Sequence, residues 1–176
     1  FLFLLIVLSL VASCTNSNNP APNAKKKLTI AVIPKGTTHE FWKSIHAGSN
    51  KAASELTAQG TELEVIWKGP IREDDREQQI QVVEGFAAQG ISGIVLAPLD
   101  NRALVRPVSE ANRAGVPTVI IDSGLESSDF VSFVATDKRK GGTLAADRMG
   151  QLMNGKGKVL VLRYAEGSAS TTEREE

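Results

Sequence analysis

Lys35, His39, Phe41 and Trp42 crowd into one short stretch, and an Asp122–Ser123 pair stands much later in the chain. Together they offer an ammonium, an imidazole, two ring faces, a carboxylate and a hydroxyl. That set suits holding a ligand better than transforming one. His39 and Asp122 have no Ser or Cys placed to complete a nucleophilic triad. No G-x-S-x-G elbow, Walker loop or G-x-G-x-x-G follows the first strand pattern. His39 and His46 are the only histidines, and their spacing matches no zinc pattern, so no metal is expected. Each residue also has a plainer reading: Trp42 and Phe41 as core packing, His39 as an N-terminal helix residue, Asp122 as a turn residue before Gly124.

The elements that must position these groups begin with Leu28 to Leu56. Leu28 to Ile33 is an apolar, β-branched run ending at Pro34, the pattern of a strand buried on both faces. Thr37 with Glu40 forms a candidate capping box. Phe41, Ile45, Gly48, Ala52 and Leu56 recur at helical spacing, which predicts a helix with one face on a sheet. Its first turn then lies at the carboxyl end of the strand, where open α/β sheets bind ligands.

The alternation continues. Glu62 to Trp67 reads as a strand, and Asp74 or Asp75 caps a helix with Ile80, Val83 and Ala87 inward and Gly90 as its C-cap. Arg72 to Gln79 reads as a solvated helix start with acids set against the dipole. Ile91 to Ala97 is a third strand. Pro107 predicts a broken helical segment, with a turn near Arg102 to Val105 and then Pro107 to Ala114. Pro117 to Ile121 is a fourth strand that delivers Asp122 at its carboxyl end. Phe130 to Ala135 is a fifth, and Asp137 caps a helix carrying Ala145, Met149 and Leu152. Lys158 to Leu162 reads as a sixth strand. Ser170-x-x-Glu173 predicts another capping box, within whose first turn the chain stops at Glu176. Strands alternating with helices predict an α/β domain on a parallel sheet, built by right-handed crossovers.

The 176 residues suit one ordinary domain. Lys plus Arg and Asp plus Glu are 20 each, so the net charge is zero and no electrostatic footprint for nucleic acid is present. Cys14 is the only cysteine, which leaves no disulfide. Phe1 to Val11 is nearly all apolar and too short to span a bilayer, the pattern of a signal-peptide core. Val11-Ala12-Ser13-Cys14 resembles the bacterial lipobox, in which the Cys thiol is acylated. Thr15 to Lys27 is polar and rich in Pro and Asn, as a tether would be.

The lipobox, the tether, IAVIPKGTTHEFW, GIVLAPLD, VPTVIIDSG, FVATD and EGSASTTERE, in that order, resemble the type I periplasmic sugar-binding proteins. These are the ribose-binding-like solute receptors of ABC importers, here in lipoprotein form. The resemblance implies Rossmann-like lobes that close on a ligand. It divides the chain into a partial signal peptide (1–13), a lipidated tether (14–27), an N-terminal ligand-binding lobe (28–135) and the start of a C-terminal lobe (136–176). The second lobe is therefore expected to be incomplete.

The resemblance also implies roles. His39-Glu40-Phe41-Trp42 matches the family's Asn-x-aromatic-aromatic motif, with His for Asn, and rings suit the apolar face of a sugar. Asp122 matches the Asp after strand four, which accepts hydroxyl hydrogen bonds. Ser123 stands where ribose binders have Arg, and Ala97 where they have Asn. Thr172 aligns with a sugar-binding Arg, with Arg174 two residues on. Lys35 and the Asp122–Ser123 pair resemble the autoinducer-2 receptor, which adds a small hydroxylated furanose to the candidate ligands. The implied partners are a small sugar or polyol and an ABC transporter permease, with the membrane reached through the lipid anchor alone. No cofactor, no nucleic acid and no catalysis are expected, and the protein is expected to be a periplasmic or cell-surface monomer. A receptor for a sensor or chemotaxis system is the rival within this fold. A LacI-type regulator core would need a helix-turn-helix where this chain has an apolar segment and a tether.

Overall fold

A computed structural model describes residues 27–176. The expected signal peptide, Cys14 and the tether through residue 26 lie outside the described residues. The first strand, β1, covers Leu28–Ile33, as its apolar run predicts. It is followed by α1 (Glu40–Ala58), β2 (Leu63–Trp67), α2 (Arg76–Gln89), β3 (Gly93–Leu96), α3 (Val105–Arg113) and β4 (Thr118–Ile121). The chain continues through β5 (Ser132–Val134), α4 (Lys138–Leu152) and α5 (Ala169–Glu175).

The five strands form one parallel sheet in the order β2-β1-β3-β4-β5. The chain winds one way from β1 to β2 and the other way from β3 onward. Right-handed crossovers then put α1 on one face and α2 with α3 on the other. The main core lies on the second face. Ala31, Ile33, Ile94, Leu96 and Ile120 of the strands meet Val83, Phe86 and Ala87 of α2 and Val108 and Ala111 of α3. The reversal between β1 and β3 opens a crevice at their carboxyl ends.

Local signals set several boundaries as expected. The Asp75 carboxylate accepts from the Gln78 amide to open α2, and Gly90 closes it at φ 61°. Pro107 falls in the first turn of α3, where its missing N–H has no intrahelical partner to lose. The predicted break is thus a late start, with the turn at Asn101–Leu104 preceding one continuous helix.

Four expectations are corrected. The N-cap of α1 is His39, whose Nδ1 accepts from the Phe41 amide at 3.2 Å, so no Thr37–Glu40 box forms. The inward face of α1 is also turned by one residue: Trp42 is buried, Ile45, His46, Ser49 and Ala53 are half-buried, and Phe41 and Leu56 are exposed. Lys158 to Leu162 forms no strand, and Val159 to Leu162 are exposed. Its β-branched pattern has no neighbouring strand among the described residues, and strand propensity is expressed only through a ladder. The N-cap of α5 is Ser168 and not Ser170, and it makes no side-chain capping bond; the hydroxyls of both serines accept from Lys35.

Candidate functional site

Three turns bring the polar groups together. β1 ends at Ile33, and Lys35 follows just after Pro34, its side chain directed into the molecule and 4% exposed. β4 ends at Ile121, and Asp122 adopts φ 63°, a left-handed conformation that short polar side chains tolerate better than most. The Asp122 amide donates to Val134 O (3.1 Å) and the Ser123 amide to Ile121 O (2.7 Å), which aims both side chains back toward β1. At the third turn Asn101 N donates to Gly167 O at 2.9 Å. Gly167 has φ 80° and no room for a Cβ against the Asp100 carboxylate, so this approach requires glycine. It docks the start of α5 on the turn before α3.

Lys35 is the hub. Its Nζ donates to Ser123 Oγ (2.6 Å), Ser168 Oγ (3.0 Å) and Ser170 Oγ (3.1 Å), and lies 3.3 Å from Asp122 Oδ2. Lys138, the first residue of α4, donates to the other oxygen of Asp122 at 2.9 Å and is equally buried. Burial pushes the Lys35 ammonium below its ordinary pKa. The carboxylates of Asp122 and Glu73 oppose that shift, and the Lys138 charge adds to it.

The aromatic wall stands beside this cluster. Trp42 is 2% exposed and its Nε1–H donates to Glu73 Oε1 at 2.7 Å. Phe41 meets it edge-on, with centroids 4.9 Å apart. The Tyr164 hydroxyl donates to Glu73 Oε2 at 3.2 Å, so one carboxylate joins α1 to the segment before α5. Deeper in, Gln79 is fully buried. Its amide donates to Pro34 O (3.0 Å) and Ala97 O (2.9 Å) and accepts from Leu99 N (2.8 Å). That staple ties the ends of β1 and β3 at the crevice. The Arg72 to Gln79 stretch is therefore no simple solvated helix start, since Glu73 and Gln79 are both engaged.

A cleft of about 490 Å³ opens among these groups. Lys35, His39, Phe41, Trp42, Asp122 and Arg174 line it, which brings six of the sequence candidates to one place. Ser123 lies just behind, buried against Lys35 and accepting from Ser170 N at 3.2 Å. His39 serves as the α1 cap, and Arg174 donates to Ser170 O at 2.6 Å within its own helix. Glu73, Tyr164, Ser168 and Ser170 are wall residues that the sequence reading did not single out, and Lys138 behind them is a fifth omission. Only the Gly69-Pro70 turn ahead of Glu73 hinted that this loop folds back over β1. A larger cavity of about 910 Å³ lies under α4, along Ala145, Met149, Met153 and Val159. It carries the apolar stripe of that helix; Lys138 and Arg174 border it, whereas Lys35, Asp122 and Ser123 do not.

A model of the periplasmic binding protein domain matches residues 30–176. The chain belongs to this family. The chain is 30% identical to the ribose import binding protein RbsB of Bacillus subtilis, over 98% of this chain and 54% of that one. Its fold is similar to a carbohydrate transporter solute binding protein from Agrobacterium radiobacter in complex with D-arabinose. There the TM-score is 0.76 at 33% identity, over 85% of this chain and 50% of the other. It is also similar to an ABC transporter solute binding protein from Agrobacterium vitis with bound D-fucose. In that case the TM-score is 0.75 at 34% identity, over 84% and 50%. The chain thus spans about half the length of the relatives it matches. The expected α/β class with a parallel sheet is the architecture found.

Proposed function

We propose that this chain is the ligand-gripping part of an extracytoplasmic solute-binding protein that captures a small sugar or polyol and delivers it to an ABC importer. The observation that carries the reading is the cleft itself. Ring faces from α1 and a dense set of charged and hydroxyl groups line one cavity of about 490 Å³, the scale of a small ligand. The relatives named above, with ribose, D-arabinose and D-fucose in their descriptions, support the same class of ligand. Residues 28–135 act as the N-terminal lobe and 136–176 as the start of the second, with Lys35, Asp122, Ser123 and the α5 serines at their junction. The role is binding without turnover, as a periplasmic monomer.

Isothermal calorimetry on the complete protein with D-ribose, D-arabinose and D-fucose tests this. Saturable binding of at least one is the expected result, and heat from none of them removes the sugar reading. A second reading, a furanose receptor feeding a sensor or chemotaxis system, is favoured by one observation: Lys35 does reach both Asp122 (3.3 Å) and Ser123 (2.6 Å).

The anchor belongs to the same proposal. Cleavage before Cys14 and acylation of its sulfur would tether the lobe, since each buried methylene contributes about 0.8 kcal/mol of membrane affinity. Mass spectrometry of the natively expressed protein is expected to find an acylated Cys14 at the mature terminus. An unmodified Cys14 or a terminus elsewhere removes the anchor.

A further inference from the structure

Three carboxylates line the cleft, Glu73, Asp122 and Glu175, and their partners differ. Asp122 is paired with cations, Lys138 on one oxygen at 2.9 Å and Lys35 on the other at 3.3 Å, and Glu175 is paired with Arg163. Glu73 meets only neutral donors, the Trp42 indole at 2.7 Å and the Tyr164 hydroxyl at 3.2 Å, and forms no salt bridge among the described residues. An ionised carboxylate offers about four lone-pair sites, so two of those on Glu73 are unused. Its position is tightly set. A Cβ at Gly36 would stand 2.8 Å from Glu73 Cγ and 3.3 Å from its amide nitrogen, so the turn before α2 rests directly on the loop after β1.

We propose that Glu73, beside Asp122, is a hydroxyl-accepting and specificity-determining carboxylate of the cleft. The inference rests on the sugar-binding reading given above. Glu73 holds the Trp42 N–H, so the indole presents a purely apolar ring to the ligand. Its other oxygen exchanges the Tyr164 hydroxyl for hydroxyls of the ligand. Tyr164 is suited to leave, because it is 68% exposed and its bond is long. One O–H replaces another on the same charged acceptor, so the exchange costs little. The same negative charge disfavours a sugar acid, even though Lys35 and Arg174 stand in the same cleft. Glu73 therefore selects neutral polyols over their carboxylates.

The test uses the complete protein with Trp67→Phe and any tryptophan outside these 176 residues replaced likewise, so that only Trp42 emits. Without ligand, Glu73→Ala is expected to red-shift Trp42 emission and increase its quenching by acrylamide. Glu73→Gln, whose amide oxygen still accepts the indole N–H, restores the wild-type signal, and Tyr164→Phe leaves it unchanged. With ligand, Glu73→Gln is expected to weaken binding of the tightest of D-ribose, D-arabinose and D-fucose about ten- to hundredfold. It should also narrow the preference for that sugar over its aldonate. Unchanged emission in Glu73→Ala overturns the proposal without reference to any ligand. Sugar binding that is indifferent to Glu73→Gln overturns it while leaving the sugar cleft intact. Failure of the wild-type protein to bind any of the three removes the cleft reading and the acceptor role together.

Discussion

Asp122→Ala should destabilise the folded protein by about 3–5 kcal/mol, the cost of leaving buried charges without their partner. The Lys35 and Lys138 ammoniums both lie within 3.3 Å of this one carboxylate, and their side chains are 5% and 6% exposed. Removing Asp122 leaves two like charges facing each other away from water. The backbone adds to the loss, because φ 63° costs an alanine roughly 1 kcal/mol or more. Three variants separate these contributions. Asp122→Asn keeps an acceptor and tolerates the left-handed turn, so it should fall between wild type and Ala. Asp122→Gly relieves the backbone but not the charges, and should remain close to Ala. Urea unfolding measures all three, and an Ala variant within about 1 kcal/mol of wild type would sink the argument. Any loss of ligand affinity in Asp122→Ala must then be read against this instability. The carboxylate holds the wall together before it could touch a hydroxyl.

Lys35→Met should behave differently, although it removes the other half of the same pair. Asp122 keeps Lys138 at 2.9 Å, so a balanced ion pair survives and the cost to global stability is smaller, on the order of 1 kcal/mol. The large effect is local. Ser168 and Ser170 lose the ammonium that binds the start of α5 to the loop after β1. Amide hydrogen exchange at Thr171 to Arg174 is expected to speed up about tenfold or more, while β1 stays protected.

A pH signature accompanies this loss. Burial holds the folded-state pKa of Lys35 below 10.5, its value in the unfolded chain, so between the two the unfolded chain binds more protons. The contribution of Lys35 to stability therefore rises with pH across that window. The difference between wild type and Lys35→Met should grow accordingly as pH approaches 10. A difference that stays flat with pH, or an α5 as protected as in wild type, refutes the role of Lys35 as the bridge.

Much of the scaffold can be read from local pattern. The apolar run from Leu28 to Ile33 is β1 to the residue, and Asp75 and Gly90 bound α2 because caps act through hydrogen bonds only a few residues away. Pro117 to Ile121 places Asp122 at a strand's carboxyl end for the same reason: the strand pattern stops there. Helix faces were less legible. Phe41 and Trp42 are neighbours on α1 and either could start an apolar stripe. Trp42 faces inward because Glu73, 31 residues away, takes its indole N–H. Lys158 to Leu162 shows the converse, a strand pattern with no strand beside it among the described residues.

The candidate positions in the cleft follow from the order of strands and loops, which the sequence alone determines through periodicity, caps and proline. What each group does there was decided by tertiary structure. Lys35 reaches serines 133 and 135 residues away, and Asp122 meets a lysine from a helix that follows a different strand. A carboxylate's availability depends on the charges that the crossovers bring beside it, and Coulomb forces act through space rather than along the chain. Asp122 is therefore held by two lysines and Glu73 by neutral donors, although in the sequence Asp122 stood at the expected ligand position and Glu73 lay in an ordinary acidic run.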